Sequence, residues 1–320
     1  MINQRLLRAY GLDKLGRFRS DVTEMYEAEI EAAVMDRHMV AILGGFGSGK
    51  SELVKTTLGR LAADASRGLD LIQVVDPERD KVRISNVLNA IIYFYNDSPR
   101  REREARAMQA IRHLGLALTV NKRRPVIVIE EAHRVHHETF RALKDLRERM
   151  FDGKAPLFSV ILVGQGGLHQ RIAKHGEVFF RTNVVTLSEE DGWMTHAERV
   201  SYLEQVFADA IEAETRSRIA LRATTPLQLN YEVEQLMRRG FQLGYDVIGE
   251  NLVPATMAEL KALTGASVRE VADRSGVPHS TVQDALKRGD DHPKAEAVRS
   301  TLEELVRERE GQANGFAEAA

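Results

Sequence analysis

Apolar residues along this chain fall into two alternating patterns. Short, mostly apolar runs at residues 39–43, 71–75, 126–129, 158–163 and 183–187 predict five strands, the one at 126–129 buried on both faces as in a parallel sheet. Around them the apolar residues recur at helical spacing. Val22, Met25, Tyr26, Ile30 and Val34 mark one buried face of a helix leading into the first strand, within a helical segment 1–38 broken around residues 11–18. Residues 52–58, 84–95, 140–150 and 168–175 repeat the pattern. A further helix is predicted up to about Val120, with Ser98 as its cap and Pro99 at its first helical position. This alternation predicts an α/β domain over residues 1–190, a parallel sheet with helices on both faces.

After the fifth run the strand pattern stops. Ser188, followed by Glu189, Glu190 and Asp191, predicts a helix start, and residues 193–244 read as helical. Tyr202, Leu203, Val206, Phe207 and Ile211 mark one apolar face; Leu227, Leu229, Val233, Leu236 and Met237 mark another. The expectation is a helical subdomain over 191–248, with a linker beginning around 249–254. Within a last domain, 255–310, residues 268–286 read as a helix-turn-helix. Ala272 is small where the helices cross, Gly276 permits the turn, and Val271, Val277, Val282 and Leu286 supply a small core. The second helix would turn His279, Ser280, Thr281, Gln283, Lys287 and Arg288 outward. Its hydroxyls and amide suit base edges, and its cations suit phosphates. Asp273, Asp284, Asp290 and Asp291 dilute the charge, so weak or avidity-dependent DNA binding fits better than tight monomeric recognition. A plain helical interaction module is the alternative. Residues 292–310 predict a final amphipathic helix, and 311–320 a disordered tail.

Composition narrows the function. The 320 residues carry a formal net charge of −2, so any nucleic-acid contact must be a local patch. No cysteine is present, which excludes disulfides, thiolate metal sites and cysteine catalysis. No apolar run approaches membrane-spanning length and no signal-peptide core follows the N-terminus, so a cytoplasmic protein without a membrane partner is expected.

The chemistry centres on Gly44-Gly45-Phe46-Gly47-Ser48-Gly49-Lys50-Ser51, the phosphate-binding pattern G-x-x-x-x-G-K-S, set between a strand and a helix. Glycines let successive N–H groups converge on phosphate oxygens, and the following helix presents its positive end. Lys50 would reach the β- and γ-phosphates of ATP, and Ser51 would offer its hydroxyl to Mg²⁺. The run 126–129 ends in Glu130 and Glu131. Glu130 would organise Mg²⁺ through water, and Glu131 would polarise the attacking water. His133, His136 and His137 cluster nearby, but Mg²⁺ prefers oxygen ligands and no zinc pattern accompanies them. Gln165, at the tip of the fourth run, is either a contact to the γ-phosphate or attacking water, or simply a polar residue starting a loop. The run Arg100, Arg101, Arg103, Arg106 is either a solvated helix face or a DNA-facing one.

These motifs, with Val163-Gly164-Gln165 and Phe180-Arg181 following in order, resemble those of AAA+ ATPases. Within that class residues 1–245 are most similar to the DNA-transposition and ExeA-like group, which includes the Mu phage B protein and TnsC-type transposition regulators. The resemblance implies an AAA+ sheet followed by a helical lid, with Gln165 at the sensor position. It implies that Arg181 is an arginine finger reaching a neighbouring subunit's γ-phosphate, with Arg171 in reserve. It also implies ATP-dependent rings or filaments, often around DNA, with contacts here from Lys81, Arg83, Arg100 and Arg101. Two residues depart from the pattern. Glu130 stands where the family usually has Asp, which implies slower turnover. Leu227 stands where many relatives have a sensor arginine.

The function expected is that of an ATPase that oligomerises on duplex DNA and recruits or regulates a partner such as a transposase or recombinase, with hydrolysis driving release. An ATP-gated transcription regulator and a non-DNA secretion-type ATPase are the alternatives.

Overall fold

The computed structural model describes residues 2–75, 81–253, 257–289 and 292–317. By internal contacts the chain forms two compact units, Met1–Glu250 and Asn251–Ala320. The first is built on five parallel strands: β1 (Met39–Gly44), β2 (Leu69–Val74), β3 (Arg124–Ile129), β4 (Ser159–Gly164) and β5 (Thr182–Leu187), in the order β2-β3-β4-β1-β5. Every residue of β1 and β4 is buried, whereas the edge strands β2 and β5 alternate, because only the central strands are flanked on both sides. The register aligns the strand ends. Leu43 pairs with Gly164, Ile129 with Leu162 and Val74 with Ile129, so the tips of β1, β3 and β4 emerge together.

In chain order the helices of this unit are α1 (Gln4–Ala9), α2 (Asp21–Met35), α3 (Lys50–Ala63), α4 (Ile84–Phe94), α5 (Arg103–Thr119), α6 (His137–Glu148), α7 (Gly167–Ala173), α8 (Gly176–Phe179), α9 (His196–Phe207), α10 (Ala213–Leu221) and α11 (Pro226–Leu243). α2 begins at a reciprocal cap between Ser20 and Thr23 and buries Tyr26, Ile30, Ala33 and Val34. Met25, expected on that face, is 52 % exposed, because Thr23 rather than Met25 continues the stripe one turn back from Tyr26.

Two helix starts differ from expectation. Ser98 and Pro99 do not open α5, which starts at Arg103. Arg106 donates to the carbonyls of Arg100 (2.8 Å) and Arg101 (3.1 Å) and so holds residues 100–101 as a loop. Ser188 closes a turn by accepting the Asp191 N–H, and the next helix begins only at His196, capped by Thr195.

The second unit packs α12 (Met257–Thr264), α13 (Val268–Ser275), α14 (His279–Arg288) and α15 (Ala295–Ala317) around Leu260, Val271, Val277, Val282, Val298 and Leu302. Ser267 caps α13, and Gly276 ends it with φ +66°, a conformation that favours glycine. His279, Ser280, Gln283, Lys287 and Arg288 are exposed and Thr281 is half-buried. Asp284 holds Arg288 at 3.1 Å, so part of its charge is answered locally. The helix predicted over 292–310 instead runs through Ala317, into the segment read as a tail; residues 318–320 lie outside the described residues.

Candidate nucleotide site

The phosphate loop lies where β1 hands over to α3. Gly47 (φ +75°) and Gly49 (φ +92°) hold conformations open to glycine, and they fold residues 45–49 back over the first turn of α3. Lys50 sits in that turn. Its ammonium donates to the Gly44 carbonyl at 3.0 Å, the Gly45 carbonyl at 2.6 Å and Ser48 Oγ at 3.3 Å. Burial lowers its pKa below the ordinary lysine value, while the nearby charges of Glu131 and Glu130 oppose that shift.

β3 delivers the carboxylates. Glu130 accepts a 2.8 Å hydrogen bond from Ser51 Oγ, so two oxygen groups from different elements meet beside Lys50. A hydroxyl and a carboxylate suit Mg²⁺, which takes oxygen ligands and would bring charge neutralisation to bound phosphates. Glu131 has φ +51° and ψ +38°, left-handed for a side-chain-bearing residue, a strain of about 1 kcal/mol. That turn separates its side chain from that of Glu130 and leaves it 60 % exposed, with Oε2 3.4 Å from His133 Nδ1. Gln165 follows β4 directly and is exposed at the same end of the sheet. His137 stacks on His175 and lies tilted against His136, yet among the described residues no group of three His, Cys, Asp or Glu is placed to hold a metal.

The segment 188–245 also reaches the loop. Trp193 donates its indole N–H to the Ser48 carbonyl at 2.9 Å, and Leu227 N–H meets the Gly47 carbonyl at 3.3 Å. Leu227 therefore puts an apolar side chain against the loop at the start of α11. Phe46, at the loop's apex, is 82 % exposed.

Arg181 lies elsewhere. It precedes Thr182, which pairs with Met39 at the opposite end of β1 from Gly44. Five residue steps along a strand put about 17 Å between those ends. Arg181 cannot reach the phosphates of its own loop. Its Nε meets Glu148 Oε1 at 2.8 Å and its Nη1 donates to the Glu177 carbonyl at 2.9 Å, beside Phe180, which is 85 % exposed. Arg171 turns inward instead, donating to the Val135 carbonyl at 2.6 Å.

A second feature flanks the carboxylate turn. A cleft of about 550 Å³ opens between α4, α5 and α6, lined by Arg83, Arg103, Arg106 and Arg141 together with Glu138 and Asp145. Arg100, Arg101 and Lys81 are exposed but do not line it. Sequence reading missed Arg141 because it sits in a mixed-charge amphipathic helix far along the chain. The Val82–Val135 bridge and the His136 N–H bond to the Val82 carbonyl fasten the edge of this cleft to the segment that follows Glu131.

Residues 31–172 match the family described as an AAA domain. No curated protein matches the chain. Among solved structures it is similar to the Aeropyrum pernix ORC2 protein in its ADP form (14% identity, 95% of this chain and 98% of that one, TM-score 0.53). It is also similar to Cdc6p from Pyrobaculum aerophilum (11%, 95% and 98%, 0.56) and to the Aeropyrum pernix ORC1 protein in complex with DNA (14%, 94% and 86%, 0.53). At such identities the likeness is one of fold. The parallel sheet in the order β2-β3-β4-β1-β5, with the phosphate loop after its β1, is the fold of AAA+ P-loop NTPases.

Proposed function

We propose that this protein is an ATP-dependent DNA-binding ATPase whose subunits assemble on duplex DNA and license a partner of the transposase or recombinase class, hydrolysis ending the assembly. The observation that carries the reading is the split of the nucleotide machinery between the two ends of the sheet. Lys50, Ser51, Glu130 and Glu131 gather at one end, and Arg181 stands exposed at the other. A subunit built this way completes its site only with a neighbour's arginine. In this reading Glu131 accepts the proton of the attacking water, Lys50 neutralises phosphate charge, Gln165 orients the water or γ-phosphate, and a neighbour's Arg181 stabilises the charge that develops. Ser51 and Glu130 would hold Mg²⁺. Trp193 and α11 would close over the loop as a lid, and with Leu227 in place of a cation this lid adds shape rather than charge.

DNA as the substrate is supported by the arginine cleft beside Glu131, by the exposed Lys81, Arg100 and Arg101, and by the polar face of α14 with Ser280, Thr281, Gln283, Lys287 and Arg288. The DNA complex of the structurally similar ORC1 protein points the same way. The partner class follows from the resemblance of the motifs to transposition regulators. Electron microscopy and fluorescence anisotropy with a slowly hydrolysed ATP analogue, with and without duplex DNA, test the reading. Rings or filaments and a gain in DNA affinity on adding the analogue are expected; neither appearing would sink it.

A further inference from the structure

Four ion pairs run in line from the arginine cleft to Arg181. Arg141, which lines the cleft, places its Nε 2.9 Å from Glu177 Oε1. The other oxygen of Glu177, Oε2, is 3.6 Å from Lys144 Nζ. Lys144 in turn lies 3.1 Å from Glu148 Oε2, and Glu148 Oε1 is 2.8 Å from Arg181 Nε. Each carboxylate thus bridges two cations with its two oxygens, and Lys144, the central member, is only 15 % exposed. The hydrogen bond to Glu148 raises the pKa of Lys144 above its ordinary value, and Arg141 lowers that of Glu177, so both stay charged near neutral pH.

We propose that Glu148 is the positioning residue for Arg181, and that the Arg141–Glu177–Lys144 chain ties that position to a nucleic-acid phosphate in the cleft. The proposal rests on the reading above, in which the cleft takes DNA and Arg181 serves a neighbour's site. Glu148 and the Glu177 carbonyl together hold Nε and Nη1 of Arg181, which fixes the plane of the guanidinium and leaves Nη2 to meet an incoming phosphate. A finger held in this way loses less freedom when the phosphate arrives.

Lys144 and Arg181 each hold one oxygen of Glu148, and so divide its single negative charge between them. A DNA phosphate on Arg141 draws that arginine from Glu177. Glu177 then takes Lys144, and Glu148 is left to Arg181 alone. DNA therefore tightens the finger and accelerates hydrolysis in the neighbouring site. The coupling needs no movement of the sheet, only an exchange of partners along one row of side chains on α6 and α8.

The sign of the exchange makes the test selective. ATP hydrolysis and duplex affinity are measured with the full chain for wild type, Lys144→Met and Glu177→Ala. Wild type is expected to be stimulated by DNA about fivefold or more. Lys144→Met, which removes the cation that shares Glu148, hydrolyses without DNA at the rate wild type reaches with it. Glu177→Ala, which leaves Lys144 to Glu148 and to its chain neighbour Asp145, stays at the unstimulated rate with or without DNA. Both bind DNA at least as tightly as wild type. A merely structural role would slow both variants together. If Lys144→Met does not fold, Lys144→Gln carries the same test.

Glu148→Ala is expected to slow hydrolysis, Glu148→Gln to recover part of the loss, and Glu148→Ala to add nothing in an Arg181→Ala background. Both chain variants stimulated like wild type, or both slowed, would overturn the proposal while leaving the functional reading intact. Wild-type protein that binds no duplex even at low salt would overturn the functional reading, and the proposal with it.

Discussion

Lys50 and Trp193 bond the backbone of the same loop, one from the helix it opens and one from a segment more than a hundred residues later. Trp193 is the chain's single tryptophan, so tryptophan emission comes from beside this loop. ATP phosphates would draw the Lys50 ammonium from the Gly44 and Gly45 carbonyls and reshape the peptide that carries the Ser48 carbonyl. Nucleotide is therefore expected to change the tryptophan fluorescence. Lys50→Ala should abolish the change, with binding weakened by about 3 kcal/mol, or roughly 10²-fold, from the loss of charge-assisted hydrogen bonds. Trp193→Phe is the control. It should bind nucleotide in calorimetry and lose only the optical signal. A fluorescence response that persisted undiminished in Lys50→Ala would place the nucleotide elsewhere. At the same scale, the direct bond from Ser51 to Glu130 gives the longer carboxylate a defined place. Substituting Asp at position 130 withdraws the oxygen by one methylene, so Glu130→Asp should raise the Mg²⁺ concentration needed for half-maximal hydrolysis, which a metal titration reads out; an unchanged midpoint would count against a metal role for Glu130.

At the scale of elements, the segment before α2 is held to α9 by contact too close for any side chain. A Cβ on Gly16 would lie 1.9 Å from the Gln205 carbonyl oxygen, and the Gly16 N–H donates to the Val206 carbonyl at 2.9 Å. Gly16→Ala must push one backbone off another, so a loss of about 2–3 kcal/mol in chemical denaturation is expected, larger than an exposed glycine would give. Gly59, exposed, with open space around its Cβ position and an ordinary φ, is the comparison site. Such contacts mark the limit of what the chain reveals by itself. The five strands and the phosphate loop were legible because each strand is a short, mostly apolar run, unbroken at 39–43 and 126–129 where both faces are covered, and because the loop's chemistry requires glycines, lysine and serine in a fixed order. The start of α5 was not legible. Ser98-Pro99 carries the local signature of a helix start, and only Arg106, folding back onto the carbonyls of residues 100 and 101, keeps those residues out of the helix. Arg141 escaped for a similar reason. The cleft that gives it meaning is assembled from three helices separated in sequence by connections that carry no pattern.

For the whole molecule, the strand that separates Arg181 from Gly44 determines what one subunit can do alone. With about 17 Å between those ends, the proposed arginine finger would need a second subunit oriented so that its β5 entrance faces the first one's phosphate loop. That is a head-to-tail interface, which closes into a ring or continues as a filament. Glu131→Gln subunits should bind ATP and hydrolyse almost nothing, and their assemblies should outlast those of wild type in a dissociation assay because the step that ends them is blocked. Arg181→Ala subunits should bind ATP equally well and lose on the order of 10³ in rate if the arginine stabilises the transition state. Mixed in equal amounts, the two inactive proteins complement each other. A site works when its own Glu131 is intact and its neighbour's Arg181 is intact, and random assembly satisfies both at about a quarter of the interfaces. Recovery of roughly that fraction of the wild-type rate, growing with total protein concentration, is the expected result. A mixture no more active than its components would mean that Arg181 serves no neighbour's site, and the split between the two ends of the sheet would then need a different explanation.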